Sequence, residues 1–133
     1  MLYLDTSALV KLVRVEPDTD ALADWLDART EMPWITSTLA EVELARAVVR
    51  AGQPEALAAV PAVLARLARF EIDAVVRATA AAYEDPALRS LDAIHLATAS
   101  VAAAATPLVA LVTYDHRLAA AAGDLGIPTA APG

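Results

Sequence analysis

The chain has 133 residues, 58% of them hydrophobic and 20% charged, with ten basic against seventeen acidic side chains, a net charge of −7 and no cysteine. That length and a mean hydropathy of +0.49 exclude intrinsic disorder and place residues 1–133 in a single domain. The missing cysteines exclude a disulfide framework, thiolate zinc sites and cysteine nucleophiles and fit a reducing cytoplasm, while the acidity makes the free chain repel nucleic acid unless cations or a local basic surface intervene.

Residues Met1–Leu12 lack a basic leading segment, and Asp5 interrupts their apolar run, so they do not read as a signal peptide. Leu2-Tyr3-Leu4 reads as a short strand, Asp5-Thr6-Ser7 as a polar turn, and Ala8–Leu12 as a helix capped by Thr6 or Ser7. Glu16-Pro17-Asp18 separates this helix from a second one carrying Leu22, Trp25 and Leu26 at helical spacing. Pro33-Trp34-Ile35-Thr36 is a second strand. Ser37 or Thr38 then caps a third helix that runs to Gly52, a residue suited to the position after a helix C-terminus.

Pro54 and Pro61 break the next helical stretch, leaving Ala62–Arg69 as its clearest part, and Phe70-Glu71-Ile72 forms a minor strand. A helix over Ala74–Glu84 ends at Asp85-Pro86. Ser90 caps a long alanine-rich helix reaching Ala105, Leu108–Thr113 is a buried strand, and Arg117–Ala122 is a last helix closing at Gly123 before an edge strand at Ile127-Pro128-Thr129. Although Ala93–Val112 has the length of a membrane span, it carries His95 and breaks at Pro107, so a buried helix followed by a buried strand accounts for it. Strands alternating with helices imply an α/β fold: a short, mainly parallel β-sheet flanked by helices on both faces.

In such sheets ligands bind outside the carboxyl ends of the strands. Asp5 and Asp115 each stop an apolar run at such an end. Glu43 shares a helical row with Leu39 and Ala47, and Asp92 shares one with Leu96 and Ala99. A carboxylate facing a core costs several kcal/mol, of order 2–7, unless it is paired or coordinates a metal, and nearby lysines and arginines are too few to pair all four. If the four converge, protons or divalent cations must relieve their repulsion. An all-oxygen donor set suits Mg²⁺ or Mn²⁺ and suits zinc poorly, and one or two such ions would equip the site to hydrolyse a phosphodiester.

Each residue also has an ordinary structural explanation. Asp5 and Asp115 can serve as helix caps, Asp92 gains from the dipole at a helix start, and either of Glu43 and its acidic neighbour Glu41 could be the exposed one. His95, three residues after Asp92, reads as a satisfied core or supporting residue before it reads as a metal ligand, and His116 as a solvated one. Arg46 with Arg50, and Arg66 with Arg69, form helical pairs able to hold phosphates but equally at home on a solvated face. Arg89 is better placed, just before Ser90-Leu91-Asp92, to touch a substrate. Trp25 and Trp34 read as core or interface residues.

The segments Leu4–Leu12, Ser37 with Val42–Ala47, Arg89–Ala99 and Thr113–Leu118, in this order and spacing across nearly the whole chain, resemble PIN-domain ribonucleases and, among these, the VapC-like toxins of toxin–antitoxin systems. The resemblance implies a short parallel sheet between helices and an acidic pocket binding Mg²⁺ or Mn²⁺. Carried over by position, Asp5, Glu43, Asp92 and Asp115 match the four acidic residues, with Glu43 preferred over Glu41 because it follows Ser37 by six residues and precedes Leu44. Thr6 and Thr113 match polar positions lining that pocket. The resemblance further implies cleavage of structured RNA such as tRNA or ribosomal RNA, inhibition by a cognate antitoxin protein, and a homodimer. The hydrophobic composition independently favours a partner, because so small a domain leaves an apolar patch uncovered.

Two other phosphate chemistries fit less well. A phosphatase of the haloacid dehalogenase type needs a second aspartate where Ser7 stands. A receiver-like domain needs an early acidic pair and a late lysine, whereas the only lysine is Lys11. A catalytically silent PIN-like module that binds RNA or protein is the remaining alternative.

Overall fold

The computed structural model describes residues 1–133. Strands β1 (Leu2–Leu4), β2 (Trp34–Ser37), β3 (Ala68–Phe70), β4 (Ala110–Val112) and β5 (Thr129–Ala130) form one sheet in the order β3-β2-β1-β4-β5. Every pairing is parallel, so the expected mainly parallel sheet is wholly so. Helices α1 (Thr6–Val13), α2 (Thr19–Asp27), α3 (Leu39–Arg50), α4 (Val60–Leu64), α5 (Ala74–Ala82), α6 (Ser90–Ala103) and α7 (His116–Asp124) make the crossovers.

Strand alternation divides the core in two. Leu2 and Leu4 of β1 point to one face, where they join Leu9, Leu22, Leu26, Leu44, Val48 and Leu64 from α1 to α4. Tyr3 points to the opposite face with Ile35 and Leu111 and meets Leu96, Ala99 and Leu118 from α6 and α7. Helices thus cover both faces, which is why every residue of β1, β2 and β4 is buried. α6 is buried over most of its circumference because α5 packs on its far side, and alanine lets it fit there. No helix is long and apolar enough to cross a membrane.

Several boundaries differ from the sequence expectations. Pro61 lies in the first turn of α4 and helps to start it, where its missing N–H is no loss; a 3₁₀ turn over Pro54–Ala59 precedes it. The chain then leaves the helix after Leu64, so Ala62–Arg69 is not helical as a whole and the minor strand falls on Ala68–Phe70. α1 is capped by Asp5, whose side chain accepts from Ala8 N–H, and not by Thr6 or Ser7. Thr38 and Arg89 occupy the cap positions of α3 and α6 without capping side chains; Ser37 accepts from Leu39 N–H, and Ser90 is already helical. α7 continues through Gly123 to Asp124, and the left-handed turn that follows is at Gly126, with φ +73°. Gly52 takes the left-handed conformation after α3, with φ +69°, as the sequence suggests.

Candidate active site

From β1 the chain moves one way across the sheet to β2 and β3, and then returns to build β4 and β5 on the other side. The order therefore reverses between β1 and β4, the place where parallel sheets open a crevice beyond their carboxyl ends. Leu4 of β1 is in register with Val112 of β4, and the next residues on each strand are Asp5 and Thr113. α3 leaves β2 on one side of this crevice, and α6 approaches β4 from the other face.

Asp5 is buried, at 3% exposure, and held at both oxygens. Its Oδ1 accepts from the Ser7 hydroxyl at 2.6 Å and from Ala8 N–H at 3.1 Å; its Oδ2 accepts from the Thr113 hydroxyl at 2.6 Å. Burial drives its proton affinity up, and the Ser7 and Thr113 hydrogen bonds only partly oppose this. The Thr113 hydroxyl oxygen also accepts from Asp115 N–H at 3.1 Å, so one side chain ties the two aspartates together. Asp115 caps α7 through Oδ1, which accepts from Arg117 and Leu118 N–H at 2.8 and 3.1 Å.

Glu43 is fixed from the side of α6. Its Oε1 accepts from the Thr6 hydroxyl at 2.7 Å and stands 2.6 Å from His95 Nε2, while His95 Nδ1 lies 2.7 Å from the Tyr3 hydroxyl. A carboxylate only accepts, so Nε2 carries a proton, and the Tyr3 hydroxyl pairs with Nδ1. Burial pushes the Tyr3 hydroxyl far above its ordinary value, with Asp5 adding to the effect, which keeps it a donor. Burial raises Glu43 as well, but the His95 hydrogen bond and charge, Thr6 and the more distant Arg50 outweigh it, leaving Glu43 below the usual carboxylate range.

Asp92 sits in the first turn of α6, half-buried. Its proton affinity is raised first by burial and then by the charges of Asp115, Asp5 and Glu43, against the opposing influence of His95. Asp92 therefore feels all three of the other predicted carboxylates. The four do not close around one point: no three acidic or histidine side chains stand near enough together to hold an ion unaided. Their convergence is one of charge, with room between the groups. The hydrogen bonds occupy Oε1 of Glu43 and Oδ1 of Asp115, while Oε2 and Oδ2 are left unengaged.

A family model for the PIN domain matches residues 2–124. The chain belongs to the PIN-domain family. Within that family it is 68% identical over 133 residues to a Mycobacterium tuberculosis protein named Ribonuclease VapC35, spanning 100% of this chain and 98% of the relative. It is also 44% identical over 135 residues to Ribonuclease VapC47 and 42% identical over 131 residues to Ribonuclease VapC46 of the same species. These alignments cover 100% and 98% of this PIN-domain chain and 98% and 97% of the relatives. No solved structure matches the chain.

The remaining predicted residues fall in different places. His95 is a buried member of the Tyr3–His95–Glu43 chain of hydrogen bonds, with no ring nitrogen left over for a metal. Arg89 is exposed at the start of α6, and His116 is exposed at the start of α7. Arg66 and Arg69 do not act as a phosphate-holding pair, because Arg66 lies 4.4 Å over the Trp34 ring and Arg69 bonds Glu41 at 3.3 Å. Trp34 is in the core, and Trp25 packs against it under Arg29. Two residues escaped the sequence reading. Ser7 donates to Asp5 and accepts from Tyr114 N–H at 2.9 Å, bridging the ends of β1 and β4. Tyr3 is a hydroxyl in an otherwise aliphatic strand, and that alternation was the available signal.

Proposed function

We propose that this PIN-domain chain is a VapC-type endoribonuclease, the toxin of a toxin–antitoxin pair, with residues 1–133 acting as one PIN-like nuclease unit. The observation that carries this reading is the convergence of charge at the β1–β4 crevice, where Asp92 is surrounded by the fields of Asp5, Glu43 and Asp115. Such a cluster is costly without a counter-charge. The ribonuclease names of relatives alignable over the whole chain support the same reading.

The donor set fits a hard cation, Mg²⁺ or Mn²⁺, because it consists of carboxylate and hydroxyl oxygens and holds no sulfur. Asp5, Asp92 and Asp115 would be its chief ligands, with Glu43 completing the set directly or through water. When bound, such an ion would polarise the phosphodiester and lower the pKa of water beside it. The space between the carboxylates suits an ion that retains several waters.

The protein's own side chains do the positioning. Thr113 and Ser7 fix the Asp5 carboxylate, and Thr113 carries that orientation to the Asp115 backbone. Thr6 and His95 hold Glu43 by one oxygen, which keeps it ionised and turns the other toward solvent or an attacking water. Exposed Arg89, at the mouth of α6, contacts the substrate backbone. RNA substrates include tRNA or ribosomal RNA, and the protein acts in the cytoplasm as a homodimer under the control of a cognate antitoxin protein. The apolar side chains left at the surface, among them Val49, Val75 and Leu125, support such partners.

Incubating the protein with total tRNA and ribosomal RNA in Mg²⁺, Mn²⁺ or EDTA, beside Asp5→Asn, tests the proposal. Cuts at a few positions that vanish with EDTA and with the variant are expected. Cleavage that survives both treatments would overturn the site.

A further inference from the structure

A groove of about 290 Å³ runs from the acidic crevice along α3, lined by Val42, Glu43, Arg46 and Arg50, with Leu91 of α6 and Thr6 of α1 opposite. Two features of it have no part in the acidic centre. The first is its cations. Salt bridges engage Lys11, Arg14, Arg69 and His95, and Arg29 and Arg66 lie over indole rings, but Arg46 and Arg50 take part in neither kind of contact. In a chain with seventeen acids and ten bases, two guanidiniums one turn apart stay unpaired, although like charges at that spacing disfavour the helix. The second is apolar exposure: Val42 and Leu91 are 62% and 49% exposed on the same groove.

The placement gives the groove a direction. At 1.5 Å per residue, Arg46 lies about 4.5 Å and Arg50 about 10.5 Å along the α3 axis from Glu43. Arg50 is still near enough for its charge to act on Glu43. The basic track therefore begins beside the acidic centre and leads away from it, with apolar side chains alongside.

We propose that this groove binds the single-stranded RNA flanking the cleavage point, with Arg46 and Arg50 on the phosphates next to the scissile one and Val42 and Leu91 against an unstacked base. This rests on the ribonuclease reading above. Charge complementarity selects the occupant: guanidinium pairs suit phosphates, and the −7 chain otherwise offers RNA a repulsive surface. The division of labour follows, since contacts to neighbouring phosphates fix the register of the strand while the carboxylates act at the cut.

The test compares full-length Asp5→Asn protein, which should not cut, with the same protein carrying Arg46→Ala and Arg50→Ala, or Arg46→Lys and Arg50→Lys. The probe is a fluorescently labelled total tRNA pool, followed by anisotropy in Mg²⁺ over a salt series. Loss of two single-strand phosphate contacts should weaken binding roughly tenfold and flatten the log–log salt slope by about 1.4, with the lysine pair keeping the slope. In the otherwise wild-type protein the alanine pair should raise the apparent KM for cleavage far more than it lowers kcat. Both positions are exposed, so thermal melts should be unchanged. Unchanged affinity and salt slope in the alanine pair, with cleavage intact in the wild type, would overturn the groove alone. A wild type that neither cuts nor binds RNA would overturn both readings. Unchanged RNA binding with loss of binding to a labelled Glu/Leu-rich peptide would reassign the groove to a protein partner.

Discussion

Replacing Asp5 by asparagine separates what this residue does for the fold from what it does for the site. The amide keeps the shape of the carboxylate and keeps Oδ1 for the Ser7 hydroxyl and Ala8 N–H. At the other position an NH₂ now meets the Thr113 oxygen, which donated to Oδ2 at 2.6 Å. Thr113 has a second lone pair free to accept, so its hydroxyl must only turn, and one rearranged hydrogen bond costs about 1 kcal/mol. On the other side stands the charge. Burial raises the Asp5 value in the folded state, so the folded protein binds its proton more tightly than the unfolded chain does. For this group stability is fully present below the ordinary carboxylate value and is lost as pH rises through the folded one. Each pH unit between the two values removes about 1.4 kcal/mol at neutral pH. One such unit offsets the rearranged hydrogen bond. Metal-free Asp5→Asn should therefore be as stable as the wild type or more so near neutrality, and less sensitive to pH. Urea unfolding followed by circular dichroism after EDTA treatment, at about pH 5 and about pH 7.5, reads both quantities. Saturating Mn²⁺ should then stabilise the wild type, by about 2.7 kcal/mol at a hundredfold excess over Kd, and leave the variant nearly unchanged. A metal-free variant more than about 2 kcal/mol less stable at the higher pH would mean that hydrogen bonds, not repulsion, dominate at Asp5, and the reasoning would fail.

Four further substitutions probe the same geometry. Tyr3→Phe removes the hydroxyl partner of His95 Nδ1 and frees the ring to lose its grip on Glu43; supporting contacts of this kind are worth roughly 10–100-fold in metal affinity or activity, so Mn²⁺ titration calorimetry should register a loss in that range. An unchanged affinity would remove Tyr3 and His95 from the site. Thr113→Val, nearly isosteric, strips hydrogen bonds from Asp5 and Asp115 N–H and should cost about 1–3 kcal/mol in urea unfolding as well as activity. Leu111→Ala, fully buried in β4, should destabilise by about 2–5 kcal/mol, whereas Arg69→Ala, at an exposed ion pair, should cost less than about 1 kcal/mol and leave RNA affinity untouched.

The parts of the molecule legible in the sequence were those where local pattern and tertiary demand agree. Leu2-Tyr3-Leu4 stopping at Asp5, and Leu108–Thr113 stopping before Asp115, mark strand ends because an apolar run can only be interrupted by a carboxylate where the chain leaves the sheet. The stretch from Pro54 to Phe70 was less legible. Proline reads as a breaker from sequence, but at the first turn of a helix it costs nothing, and Pro61 takes that place in α4. At α3 the cap position falls on Thr38, one of the two expected residues, although its side chain makes no capping bond, while at α6 Ser90 lies one residue past the cap position, which Arg89 holds. At the candidate site, the strand-end placement of Asp5 and Asp115 was readable, while the anchoring of the carboxylates was not. Ser7 and Tyr3 reach partners 107 and 92 residues away along the chain, and no local pattern announces such contacts.

Asp5 and Asp115 show why a structural and a chemical account of one residue need not compete. Each caps the helix that follows its strand, which is sufficient reason for an aspartate to stand there. Capping Asp115 uses Oδ1 and leaves Oδ2, and capping Asp5 uses Oδ1 while Oδ2 keeps one lone pair beyond the Thr113 bond. The cap thus fixes the carboxylate in direction and leaves lone pairs on its second oxygen unused, at no extra conformational cost. Glu43 obtains the same result by other means, with Thr6 and His95 in place of backbone donors. Asp92 alone has no such anchor, and it is the one whose proton affinity is raised by the other three. A divalent cation bound there would act most strongly on Asp92, drawing an otherwise unrestrained carboxylate toward three that are already aimed, and its ordering on metal binding would complete the proposed site.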